Sequence, residues 1–376
     1  MSAGVLVMGG TGTFGRRLVR GLIAATDLDV VIAGRNLEHA TALADEMQTG
    51  QRASRARAVR MDVNTVAPDQ LRHSGAFAVV DAAGPFQGGN YRLAKAAIAA
   101  GLHYLDLADA RDFVAGFPHL DAGARNAGVV ALTGASSTPA LSNAVLDRLT
   151  QEWRSIDTVE IAISPGNRAP RGVAVVRSIL SYAGRPVRVF HDGRWMSHPG
   201  WGMTTRRTIR GIGKRWASLC DTPDLDIVPQ RFGVRRSAVF RAGLELPILH
   251  LGLFAASLSV RVGILPSLAP FSRTFRTAAD LFTPFGTDRG GMVVAATGLA
   301  LDGEPICSTW TLIAEAGDGP VIPTLPALAA VRALADGRLN RPGAYVCAGV
   351  LDLGAIEREF RPYRITSHIE TERPNR

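Results

Sequence analysis

The residues with the clearest chemistry are three glycines. Gly10, Gly12 and Gly15 stand as Gly-x-Gly-x-x-Gly, directly after the apolar run 4–8 and at the head of a helical pattern over 13–25. In that context the first glycine allows a tight turn. The second lets the backbone approach a pyrophosphate, and the third lets the helix pack close to the strand. Backbone N–H groups and the positive end of the helix dipole then hold the anion. Gly9, Gly10, Thr11, Gly12, Thr13, Phe14 and Gly15 are therefore expected to cradle the diphosphate of a dinucleotide. The second apolar run ends in Ile32-Ala33-Gly34-Arg35-Asn36, and no acidic residue lies between Val30 and Leu37. An NAD site wants a carboxylate here for the ribose 2′-OH, whereas a guanidinium can fork onto a 2′-phosphate and stack on adenine. Gly34, Arg35 and Asn36 are assigned to that end of the ligand, which makes the expected cofactor NADP(H). Arg16 could assist. Asp62, at the end of the third run, could accept from the adenine amino group or serve as a strand-end cap.

The elements that must position these groups are legible over residues 1–150. Apolar runs of strand length occur at 4–8, 30–33, 58–61, 78–82, 104–107 and 129–133. Between them lie helical patterns at 13–25, 37–47, 90–100 and 113–127. Continuous apolar strands alternating with amphipathic helices predict a parallel sheet covered on both faces. Six such strands make a doubly wound Rossmann domain. After Trp153 the pattern changes to alternating β-branched runs at 158–164, 186–191, 235–241, 292–301 and 307–314. Asp192-Gly193 and Asp302-Gly303 sit as hairpin turns between paired runs. The expected fold class is thus α/β, a doubly wound parallel Rossmann sheet (1–150), with a second α+β domain (151–370) built on an antiparallel sheet. A late helix over 323–336 is expected to fold back on the first domain, and the polar tail from Thr371 is expected to be disordered.

Two further stretches carry a resemblance. Val79-Val80-Asp81-Ala82-Ala83-Gly84-Pro85-Phe86 is followed by Ala97-Ile98-Ala99-Ala100-Gly101-Leu102-His103-Tyr104-Leu105-Asp106-Leu107. With the phosphate loop and Gly34-Arg35, these resemble the saccharopine dehydrogenase-like family of NADP-dependent reductases. That family has a Gly-Pro-Phe loop after the fourth strand and a fifth strand reading Tyr-x-Asp. The resemblance is specific over roughly residues 4–150. It implies an NADP-binding Rossmann domain, a second α+β domain, frequent pairing into homodimers, and reduction of imines, coupling of amines to keto acids, or reduction of enoyl thioesters. Asp109-Ala110 stand where the family often has Gly-Glu, and Ala135-Ser136 where it often has Phe-Asp.

Ligands of an open α/β sheet bind outside the carboxyl ends of the strands. That selects Ala83, Gly84, Pro85 and Phe86, with Pro85 and Phe86 expected to press on the nicotinamide ring, and also Ser136, Ser137 and Thr138. A reductase needs a proton donor as well. Asp109 and Tyr104 are the candidate catalytic residues, each with a structural alternative: a helix cap for Asp109 and core packing for Tyr104. Asp106 fits a backbone-bonding role at the strand end. His191 and His198, beside the Asp192-Gly193 turn, could close over a site.

Composition narrows the classes. The 376 residues are 47% hydrophobic and 20% charged, ordinary values for a globular chain. The net charge of +9 comes almost wholly from Arg, since Lys95 and Lys214 are the only lysines. These Arg are scattered and not interleaved with aromatics, so nucleic acid is not expected as a partner, while anionic small molecules are. Cys220, Cys307 and Cys347 have no metal or disulfide spacing. No metal is expected, and a reducing, cytoplasmic setting is. The start of the chain lacks the pattern of a signal peptide. The apolar stretch 246–265 carries His250, Ser257 and Arg261 on one helical face. It reads as a buried or interfacial helix, with contact to a membrane surface as its alternative use. The functional expectation is an NADP(H)-dependent oxidoreductase acting on an imine or keto/amino-acid-like substrate. The alternatives are an enoyl or carbonyl reductase for an acyl thioester, and a non-catalytic NADP-binding or membrane-surface module.

Overall fold

A computed structural model describes residues 4–48, 55–170 and 172–373. The chain divides into two units, 1–141 with 320–359, and 142–319 with 360–376. The break falls nine residues before the expected boundary at 150, and the first unit regains a late segment.

The first unit is a doubly wound sheet. Its strands are β1 (Gly4–Met8), β2 (Asp29–Gly34), β3 (Ala56–Arg60), β4 (Ala76–Asp81), β5 (His103–Asp106) and β6 (Val130–Thr133). Gly343–Val346, the fifteenth strand of the chain (β15), returns to pair with β6. The order β15-β6-β5-β4-β1-β2-β3 is parallel throughout. β1 is buried along its whole length, as expected for a central strand covered on both faces. The helices are α1 (Gly15–Ala25), α2 (Leu37–Gln48), α3 (Pro68–His73), α4 (Arg92–Ala99), α5 (Arg111–Gly116) and α6 (Asp121–Asn126). α1 buries Leu18, Val19, Leu22 and Ile23 at helical spacing and leaves Arg16 and Arg20 outside. The single helix expected over 113–127 is three short ones, because Pro118 sits in a 3-10 turn between α5 and α6.

The second unit begins with α7 (Ser142–Thr150) and carries β7 (Trp153–Ser164), α8 (Val173–Tyr182), β8 (Pro186–His191), β9 (Arg194–Pro199), β10 (Thr205–Ile209) and β11 (Gly213–Leu219). There follow α9 (Asp224–Arg231), β12 (Ser237–Ala242), α10 (Pro247–Arg261), α11 (Ser272–Leu281), β13 (Gly290–Ala300) and β14 (Pro305–Ala314). The helix expected at 323–336 is α12 (Leu325–Ala335), which is part of the first unit and packs on α1. Its Arg332 pairs with Glu359 and donates to the Ala25 carbonyl. Leu353–Glu357 (α13) follows it, and Ile365–Glu372 (β16) closes the second unit's sheet.

Two expectations need correction here. The second sheet, in the order β10-β11-β12-β7-β13-β14-β16 with β8 and β9 attached through β12, is mixed rather than purely antiparallel. β12 runs parallel to β7, reached through the long connection that holds α8 and α9. Nor is the tail loose at Thr371: that residue pairs with Ser308 in the β14–β16 ladder, and the two hydroxyls hydrogen-bond at 2.8 Å. The polar sequence is that of an edge strand exposed on both faces beyond Ile365. The Asp192-Gly193 turn joins β8 to β9 with φ of 50° and 73°, the left-handed pair a two-residue hairpin requires.

Candidate active site

All the first-unit candidates sit where parallel strands end. β1 ends into the loop 9–15. Gly9 has φ of 71°, and a Cβ there would lie 2.7 Å from the Cα of Ala83. The phosphate loop and the loop after β4 therefore touch backbone to backbone. A Cβ on Gly15 would come within 2.1 Å of the Gly9 carbonyl oxygen, so only glycine lets α1 start this close to β1. Gly9 and Gly10 N–H both donate to Ala33 O at the end of β2, which pins the loop beside Gly34. Gly12 is exposed, while Thr11, Thr13 and Phe14 are half-buried around it. The first turn of α1 points its N–H groups toward this opening.

Arg35 and Asn36 are exposed. The Arg35 side chain makes no ion pair or hydrogen bond among the described residues, and neither does the Arg16 side chain, whose backbone N–H donates to Gly12 O at 3.0 Å. Asn36 has local work: its Oδ1 accepts from His39 N at 3.3 Å as α2 begins. Asp62 is half-buried, and its Oδ1 accepts from Asn64 N at 2.9 Å and Asn64 Nδ2 at 3.2 Å. Its second carboxylate oxygen is the one left to meet a ligand.

The loop after β4 offers Ala83, Gly84 and Pro85 to solvent, but the Phe86 ring turns inward. It is buried against Phe113, with centroids 5.3 Å apart. Phe86 is thus a packing residue, and what the loop exposes is Gly84 and Pro85. Ser136, Ser137 and Thr138 are also buried, in the turn before α7.

Beneath these loops lies a polar cluster. Asp81 and Asp106 are register partners at the ends of β4 and β5. Asp106 is fully buried, and its Oδ1 accepts from Gly134 N at 2.7 Å, Ala108 N at 3.0 Å and Thr133 Oγ1 at 3.0 Å. This is the backbone-bonding role the sequence suggested. Its Oδ2 has no hydrogen-bond partner among the described residues. Asp81 Oδ1 accepts from Ala83 N at 2.9 Å. Burial raises Asp106 to about 7 and Asp81 to about 6, against the pull of these donors, and Asp81 also pushes Asp106 upward.

Tyr104 stacks on Phe117 at 5.8 Å, is 1% exposed, and points its hydroxyl at Asp81 Oδ2, 3.5 Å away. Burial and the two aspartates hold its pKa well above 10. Tyr104 is therefore a core residue bracing Asp81, which removes it as an exposed proton donor. Cys347, just past β15, completes the cluster. Its N–H donates to Thr133 O at 2.8 Å, and burial followed by the charge of Asp106 raises its thiol to about 12. Sequence reading missed Asp81 and Cys347. Asp81 stood inside a quoted motif, and a strand-end acid opposite another strand-end acid was the available signal. Nothing local marked Cys347.

Asp109 stands apart from this buried group. It is exposed, with Oδ1 accepting from Gln87 Nε2 at 3.3 Å, and packing around the carboxyl still raises its pKa above the ordinary aspartate value. It remains the candidate donor. His191 and His198 face each other edge-on in the β8–β9 hairpin of the second unit. No cluster of metal-ligating side chains occurs among the described residues.

Residues 5–149 match the family described as the saccharopine dehydrogenase NADP binding domain. Among solved structures, apo saccharopine dehydrogenase (L-Glu forming) from Saccharomyces cerevisiae superposes with a TM-score of 0.72 at 14% identity, over 98% of this chain and 100% of that one. GenD2 from gentamicin A biosynthesis, in complex with NAD, gives 0.43 at 16% identity over 98% and 96%. A dehydrogenase from Chromobacterium violaceum gives 0.41 at 12% identity over 96% and 93%. No curated protein matches the chain. The fold and the domain define the class: a two-unit chain with an N-terminal NADP-binding Rossmann domain. Residues 5–149 match the saccharopine dehydrogenase NADP-binding domain family, and the chain as a whole shares its fold with saccharopine dehydrogenase.

Proposed function

We propose that the protein is an NADP(H)-dependent reductase acting on an imine or keto/amino-acid-like small molecule. The observation that carries the coenzyme part is Arg35: an exposed guanidinium with no partner among the described residues, at the end of β2, where no acid competes for a ribose hydroxyl. The cradle fits the group: an exposed Gly12, the start of α1, and Gly84 and Pro85 facing outward across a backbone-to-backbone contact. When bound, the dinucleotide supplies a two-electron reduction. The chain binds and orients, and in this reading the Asp109 carboxyl gives a proton to the substrate nitrogen or oxygen. None of the three cysteines is in a disulfide, which fits a cytoplasmic setting.

The test is NADPH consumption by the purified full chain offered imines, keto acids with amines, and enoyl thioesters. The reading expects turnover with an imine or keto acid. It also expects kcat to fall about a hundredfold in Asp109→Asn with NADPH affinity kept. Turnover on enoyl thioesters alone would replace it with the acyl-thioester reading, which the outward apolar face of α10 favours. Tight NADPH binding with no turnover across the panel would favour a non-catalytic module.

A further inference from the structure

α10 is inside out. Its buried residues are His250, Leu253 and Ser257, while Ile248, Leu251 and Leu258 are 63%, 40% and 41% exposed on the opposite face. The polar stripe does structural work. His250 Nε2 hydrogen-bonds Ser218 Oγ at 2.8 Å, Leu244 N donates to its Nδ1 at 3.3 Å, and Trp201 stacks beside it with centroids 5.0 Å apart. Burial lowers the His250 pKa to about 4, so this ring is neutral and fixed. An ordinary surface helix buries its apolar stripe; this one places His250 and Ser257 inside beside Leu253 and turns Ile248, Leu251 and Leu258 outward.

The apolar face continues past the helix into Val262 and Ile264, 69% and 73% exposed. At the other end, Glu245 accepts from Thr287 N at 2.9 Å, which brings the start of α10 near the exposed Phe285. Such a contiguous patch marks a contact surface. Its charge selects the partner. From Leu246 to Ala279 there is no acidic residue, and Arg261 and Arg273 have no carboxylate partner among the described residues, while Arg276 pairs with Asp280 at 3.5 Å. At the C-terminal end of α10 a surface cavity of about 550 Å³ is lined by Arg185, His198, Arg261 and Pro266, among others. Arg185 is held there by two bonds to Pro266 O, at 3.1 and 3.0 Å. Arg261 has no carboxylate partner among the described residues, and its guanidinium lies over the Phe254 ring.

We propose that the outward face of α10, with Val262 and Ile264, docks on the surface of a bilayer containing anionic phospholipid, with lipid phosphates received by Arg261 and Arg185. Apolar side chains at the headgroup boundary combined with flanking arginines are the composition of an interfacial helix. A second copy of the chain fits less well, because a two-fold contact through this face would set arginine-rich patches, each with Arg261 unpaired by a carboxylate, against each other. Spanning is excluded for α10, since no helix among the described residues is long and apolar enough to cross a membrane. The proposal stands independently of which substrate the first unit reduces.

The experiment is co-sedimentation of the full chain with large vesicles of phosphatidylcholine alone or with added phosphatidylglycerol, at low and high salt. The proposal expects binding to the anionic vesicles, weakened by salt. It expects a loss of about fivefold or more for Arg261→Glu and for Ile264→Glu, with NADPH affinity unchanged as the check on folding. Both positions are exposed, so both variants should fold. Absence of binding to anionic vesicles would overturn the proposal, as would binding that Ile264→Glu leaves intact. A change in sedimentation-derived mass in Ile264→Glu with vesicle binding unaltered would assign the face to a second copy instead.

Discussion

Asp106 shows how a single side chain can hold a ligand edge together without touching a ligand. Three donors converge on its Oδ1, two of them from the loops after β5 and β6, while Asp81 does the same for the loop after β4. The cost is two carboxyls in one dry place. Their folded-state pKa values, about 7 and about 6, lie above the unfolded value near 4, so the folded state binds protons more tightly. The stabilisation this gives is complete below about pH 4 and is lost as pH rises through 7. Asp106→Asn keeps the Oδ1 acceptor, adds a donor beside Asp81, and removes one titration. Its Tm relative to wild type should therefore improve steadily between pH 5 and pH 8. Parallel Tm curves for the two proteins would show that Asp106 does not carry this proton.

At the scale of elements, the start of α1 is the tightest constraint. A methyl on Gly15 would meet the Gly9 carbonyl, which is backbone and has nowhere to go while Gly9 is pressed on Ala83. Gly15→Ala should cost about 2–3 kcal/mol in denaturant unfolding and abolish dinucleotide binding. An unchanged midpoint would mean that the helix can retreat from the strand. This contact was legible in the sequence because its cause is local: a strand, three glycines at fixed spacing, and a helix. The first six of that unit's seven strands were legible for the same reason, as most are short apolar runs, although β3 carries Arg57 and Arg60. β15 and β16 were not. Gly343–Val346 is four residues long and gains its place by pairing with β6 and by the bond from Ala344 N to Asp121 Oδ1, and Ile365–Glu372 is a mostly polar strand exposed on both faces. The orientation of α10 was hidden too. Its pattern showed a polar stripe on an apolar helix, but Ser218 and Trp201, which draw that stripe inward, lie far away in the chain. Phe86 was placed in the loop after β4 and Tyr104 in β5, yet motif reading cannot tell an inward ring from an outward one.

At the scale of the whole molecule, the chain leaves the first unit after residue 141 and returns to it at 320 to add α12 and β15, so that unit cannot be completed until most of the protein has been made. The excess of arginine gives the chain a net charge of +9, suited to an anionic coenzyme and to an anionic surface alike. The account depends most on the identity of the coenzyme. Calorimetric titration of the full chain with NADPH and with NADH, repeated on Arg35→Asp, tests it directly. Tight NADPH binding should weaken by about ten- to a hundredfold in the variant, with NADH gaining ground, as expected for a lost charge-assisted bond to the 2′-phosphate. Heat-silent titrations with both coenzymes, or a preference unmoved by Arg35→Asp, would contradict it.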